Sequence, residues 1–164
     1  MLTAKIVEVD RLYNQMHRVR EIRNLEIDID IINSKLSQPG AIKYTDMPKS
    51  RTLFDKTSML LSQKMEKENQ LKKLIKTARE EQHLLEAIIE KMGSLPESSK
   101  GPANRIYQDI LRYKYLYDYS WQETNDLINK KDDEDFNIDL DSQMRKLFLW
   151  NGKALNKFRK CQEN

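Results

Sequence analysis

The residues that stop helices are gathered into two short segments of this chain. Pro39, Gly40 and Pro48 interrupt it once, and Gly93, Pro96, Gly101 and Pro102 interrupt it again. Proline has no amide to continue a helix and glycine relieves a helix end, so both segments mark stops. Before and between them, apolar residues recur mostly at spacings of three and four, the period of one helix face. Leu2, Ile6, Val9, Tyr13, Met16, Val19, Ile22, Ile29, Ile32 and Leu36 trace one stripe. Leu61, Met65, Leu71, Ile75, Ala78, Leu85, Ile89 and Met92 trace a second, widened by Leu74, Leu84 and Ile88. The pattern predicts two long amphipathic helices, one ending at Ser37-Gln38-Pro39-Gly40 and one running from near Thr52 to Gly93.

The register of the first stripe drifts near Arg23, and Glu68 and Gln82 interrupt the second. Imperfect heptads favour two helices folded back on each other over a long parallel coiled coil. Two thin helices bury little surface, so the hairpin is expected to pair with a second copy or to pack on a partner. Residues 1–95 therefore read as a coiled-coil-like hairpin, 96–104 as a linker and 105–164 as a separate domain.

Composition agrees with long exposed helices: 38% of the 164 residues are hydrophobic and 34% charged. The net charge of +3 is too small to imply nucleic acid by itself, so the placement of charge carries the information. Residues 131–141 hold six carboxylates and one lysine, whereas residues 142–164 hold six cations and one glutamate. Cys161 is alone and has no disulfide partner in the chain, and the opening MLTAKIVEVD lacks the apolar run of a signal peptide or a membrane span. A soluble cytoplasmic protein is the expectation.

Catalytic chemistry finds little to stand on. His17 and His83 lie far apart, and no paired metal-ligand spacing, glycine-rich phosphate loop or nucleophile elbow occurs. No enzyme activity, cofactor or metal is expected. The carboxylates Asp132, Asp133, Glu134, Asp135, Asp139 and Asp141 lack the glycine turn and terminal glutamate of a calcium loop, and read as a solvated connection.

The final third is more specific. Residues 105–119, RIYQDILRYKYLYDY, form a tyrosine-rich amphipathic segment in which Ile106, Ile110, Tyr113 and Tyr117 fit one packing stripe. Ser120 and Glu123 then stand as a capping box, a hydroxyl followed three residues on by a carboxylate, ahead of Thr124, Leu127 and Ile128. After the acidic run, residues 142–160 place Met144, Leu147, Phe148, Leu155 and Phe158 on one side of a helix and Arg145, Lys146, Lys153, Lys157 and Lys160 on the other. A scaffold helix, a short capped helix, a connection and a helix with a cationic outer face form a helix-turn-helix pattern. Such a helix fits the major groove of DNA.

At ILRYKYLYDYSWQETNDLI and at the Gly152-Lys153-Ala154-Leu155 tetrapeptide the chain resembles phage-encoded regulators of the ArpU and RinA type, together with related streptococcal phage proteins. Tyr44-Thr45-Asp46-Met47-Pro48 is similar to an Asp-Met-Pro element between two N-terminal helices of those proteins. The resemblance implies a domain like the fourth conserved region of bacterial sigma factors. It also implies a DNA-binding activator of late or packaging genes in a temperate phage or prophage of a Gram-positive host. The chain departs from the family in its long acidic connection at 129–141, and in Leu149-Trp150-Asn151 where members commonly have Arg-Leu-His.

The sequence thus predicts an all-α protein, an N-terminal helical hairpin followed by a C-terminal helix-turn-helix domain, that binds double-stranded DNA in the bacterial cytoplasm. Gln143, Arg145 and Lys146 are the expected readers of base edges, and Lys153, Lys157 and Lys160 the expected phosphate contacts. RNA polymerase is a second candidate partner, reached through the hairpin, which is also the expected homo-oligomer interface. Two other functions fit the same pattern: an adaptor that captures a host protein, and a small DNA-packaging subunit.

Overall fold

A computed structural model describes residues 3–37, 50–97, 101–129 and 140–162. The protein is all-α: five α-helices and no strand occur among these residues. Helix α1 spans Thr3–Ser37 and α2 spans Ser50–Lys91, each without interruption. A single tight turn, Met92–Ser94, follows α2. Helix α3 covers Asn104–Leu111, α4 covers Trp121–Asn129 and α5 covers Leu140–Gln162. Both the Asp-Met-Pro element and most of the acidic connection lie outside the described residues.

The chain divides into two compact units, Arg20–Thr77 and Met1–Val19 with Ala78–Asn164. In the first, α1 buries Ile29 and Ile32, and Lys67 of α2 donates to Asp28 of α1 at 2.7 Å. The expected stripe on α2 is only partly realised there, because Leu61 and Met65 are exposed, as are Ile27 and Ile31 of α1. One neighbouring helix covers a narrow strip, and a wider apolar stripe outruns it.

The second unit holds the larger core. Leu12 and Met16 of α1, Leu85 and Ile89 of α2, and Met92 in the turn after α2 pack with Tyr107, Leu111, Tyr115 and Leu116, and with Ala154, Phe158 and Cys161 of α5. Arg11 bonds Glu81 at 2.7 Å and Gln15 donates to the Ala78 carbonyl at 3.0 Å, which sets α1 and α2 antiparallel in this unit. A smaller cluster of Ile110, Ile128 and Leu147 joins α3, α4 and α5, with Trp121, Met144 and Trp150 at its edge. On α1 the buried positions are Val9, Leu12 and Met16, while Tyr13 lies on the rim, its ring edge-on to Tyr115 at 5.2 Å.

The tyrosine-rich segment differs from its expected register. The α-helix gives way at Arg112 to one wide turn, Arg112–Leu116, with hydrogen bonds spanning five residues, as in Tyr117 N–H to the Arg112 carbonyl at 3.0 Å. The extra residue in that turn rotates everything beyond it, so that Tyr115 and Leu116 enter the core and Tyr117 is left exposed. Asp118, at a φ of 53°, reverses the chain in the left-handed region that aspartate tolerates better than most residues. Ser120 then opens α4 as a full capping box: its N–H donates to Glu123 Oε2 at 2.7 Å, and the Glu123 N–H donates to Ser120 Oγ at 3.1 Å.

Candidate nucleic-acid interface

Helix α5 is gripped along one side. Leu147, Ala154, Phe158 and Cys161 are buried at spacings of seven, four and three, against α3 and the ends of the hairpin helices. Polar contacts fix its angle to α4. The Gln143 side-chain oxygen accepts from Asn125 Nδ2 at 3.0 Å and from Asn129 Nδ2 at 3.1 Å, and Asn129 also donates to Asn125 Oδ1 at 3.1 Å. Asn125 is 3% exposed, so these bonds form away from water, where an unmet amide is costly. Farther along, the Asn151 carboxamide and the Tyr115 hydroxyl lie 3.2 to 3.3 Å apart. Burial and the hydrogen bond from Tyr13 push the Tyr115 phenol up, with Asn151 opposing, so the ring stays neutral as a core residue should.

The cationic residues expected from sequence separate into two groups. Lys157 is turned toward the fold: its ammonium donates to Asn104 Oδ1 and to the Pro96 carbonyl at 3.4 Å, and sits 5.1 Å over the Tyr107 ring. Gln143 is engaged by α4. Arg145, Lys146, Lys153 and Lys160 are exposed on the outer side of α5, together with Arg159. Lys146, Lys153 and Lys160 recur every seven residues and so form one row, about 10 Å between members. Asp141 is the one carboxylate in α5, against six cations, which gives this surface a net attraction for polyanions.

Sequence periodicity also missed part of the surface. Leu149, 60% exposed, and Asn156 stand on the outer side, and Gly152 between them has open space where a Cβ would be. Phe148, expected inside, is 48% exposed and leans edge-on against Trp121 at 5.1 Å, with the Lys114 ammonium 5.0 Å over the same indole. The arrangement offers side-chain donors and positive charge on a rigid helix. Among the described residues no group of three or more His, Cys, Asp or Glu could hold a metal ion, and no helix is long and apolar enough to cross a membrane. The chain matches no protein-family model, no curated protein and no solved structure.

Proposed function

We propose that this protein is a sequence-specific regulator of transcription that binds double-stranded DNA through α5, in the manner of phage or prophage activators of late genes. The observation that carries the reading is the joint between α4 and α5. A reciprocally capped short helix is tied by two asparagines to the first turn of a longer one, whose opposite side bears exposed arginine and lysine. That is the construction a helix-turn-helix needs, because the supporting helix must fix the angle at which the reading helix meets the groove. Arg145 and Lys146 are then placed for base edges, and Lys153 and Lys160 for phosphates. Gln143 and Lys157 hold α5 in place.

The hairpin serves as the oligomerisation element in this proposal, supported by the exposed Ile27 and Ile31 on α1 and Leu61 and Met65 on α2. Two copies would present two reading helices to a symmetric site. The test is retention of the full chain on duplex DNA across a salt series, with light scattering on the same sample. Replacing Arg145 and Lys146 with alanine lowers affinity and flattens the dependence of log affinity on log salt by up to about two units if both meet phosphate. Unchanged retention in that double variant refutes the proposal.

A further inference from the structure

Gly152 is a residue the fold does not require. It sits in the middle of α5, it has no positive φ, and a Cβ built on it meets nothing within 4 Å. Neither backbone conformation nor internal packing asks for glycine, and glycine is the poorest helix former after proline. The remaining reason for such a residue is the close approach of something outside the chain. Its neighbours along the helix point the same way. Arg145, Leu149, Gly152 and Asn156 follow spacings of four, three and four, so they share one line on the exposed side. A single exposed leucine means little, but Leu149 stands one turn from that glycine on a helix whose other outer residues are polar or charged.

We infer that this line, rather than the first turn of α5 alone, is the specificity-determining surface, and that it reads adenine and thymine in the major groove of duplex DNA. The inference rests on the DNA-binding reading above and names the site that reading leaves open. Asn156 is the side chain suited to adenine, because its carboxamide pairs with N6 and N7 together. It is held only by a long 3.4 Å bond with Arg159. Leu149 supplies the apolar contact that recognises the thymine methyl, the one apolar group on the major-groove edge of a base pair. Gly152 lets the helix axis come close enough for the shorter Asn156 side chain to reach. The row of Lys146, Lys153 and Lys160 beside this line meets one phosphate wall, which is the charge complementarity that favours DNA over a protein groove. From Arg145 to Asn156 the line covers about 16 Å, or roughly five base-pair steps.

The experiment selects duplexes from a random pool with the full-length protein, then measures binding of wild type and of Gly152→Ala, Leu149→Ala and Asn156→Ala by fluorescence anisotropy. Gly152→Ala gives a melting temperature higher by roughly 2 to 3 °C, because alanine favours the helix, yet binds the selected site roughly tenfold more weakly or worse. Asn156→Ala loses its preference at one adenine. Replacing one thymine by uracil, which removes only the methyl, weakens wild type and leaves Leu149→Ala unaffected. If wild type selects no sequence at all, the DNA-binding reading falls and this assignment with it. If wild type selects a site that the three variants bind and discriminate equally well, the assignment alone is overturned. It is also overturned if Gly152→Ala dissociates an oligomer while leaving DNA binding per subunit intact, since the glycine would then face a second copy.

Discussion

Replacing Gln143 with alanine separates a structural role from a base-reading one. In the folded chain the Gln143 oxygen is the acceptor for two amide groups, from Asn125 and Asn129. Their fates on its removal differ. Asn129 keeps its bond to Asn125 Oδ1 at 3.1 Å, whereas Asn125 Nδ2, on a residue only 3% exposed, is left with no replacement bond of its own. One buried donor stripped of an acceptor costs about 1–3 kcal/mol. The loss should therefore fall in that range and not at twice it, and it should shrink to a few tenths in an Asn125→Ala background, where there is no donor to orphan. Urea unfolding followed by tryptophan fluorescence is a suitable assay, because Trp121 and Trp150 both lie in the cluster beside this joint. On DNA, Gln143→Ala should weaken all sequences alike, since α5 loses its angle rather than a contact. A stability change below about 0.3 kcal/mol, or one that persists at full size without Asn125, refutes the assignment of the clasp.

Other outcomes follow from the same structure. Leu12→Ala, in α1 but within the core that contains Phe158, should cost about 2–5 kcal/mol and shift the transition reported by Trp150 fluorescence. Ser120→Ala removes the acceptor for the Glu123 amide and should cost about 1 kcal/mol, with faster amide exchange confined at first to the start of α4. Stability should fall in alkaline solution. Burial raises the Cys161 thiol above its ordinary 9.0 and the Tyr107 phenol above its ordinary 10.0, and Tyr115 shifts the same way. Because the unfolded chain gives up these protons more readily than the folded one, their contribution is complete below pH 9 and is lost as the pH rises through 9 and 10 toward the raised folded-state values. Denaturant midpoints measured between pH 7 and 11 test this, and a midpoint flat across that interval contradicts it.

Much of the secondary structure was legible in the sequence for reasons that are local. Pro39 and Gly40 stop α1 at Ser37, and the Ser120–Glu123 pair starts α4 at Trp121, because a cap is written within four residues. What escaped the sequence was set by distant neighbours or by a broken period. The stripe through Tyr113 and Tyr117 assumes 3.6 residues per turn, and the wide turn at Arg112–Leu116 violates that assumption, so Tyr115 is buried in place of Tyr117. Gln143 and Lys157 lie on the border of α5, where a long polar side chain can turn either way. The residues that decide the matter, Asn125, Asn129 and Asn104, belong to other elements. Gly152 carries no periodic signal at all, and only the empty space beside it gives it meaning.

The core that unites Leu12 and Met16 with Ala154 and Phe158 has a consequence for synthesis. Its first members leave the ribosome more than a hundred residues before its last, so this unit cannot close while the chain is still growing. At bacterial elongation rates of roughly 5–20 residues per second, Leu12 and Met16 wait on the order of ten seconds for α5. During that interval the nascent hairpin presents a greasy end with no cover. A trigger for chaperone engagement is thus built into the topology, and the reading helix, made last, is also the piece that completes the fold.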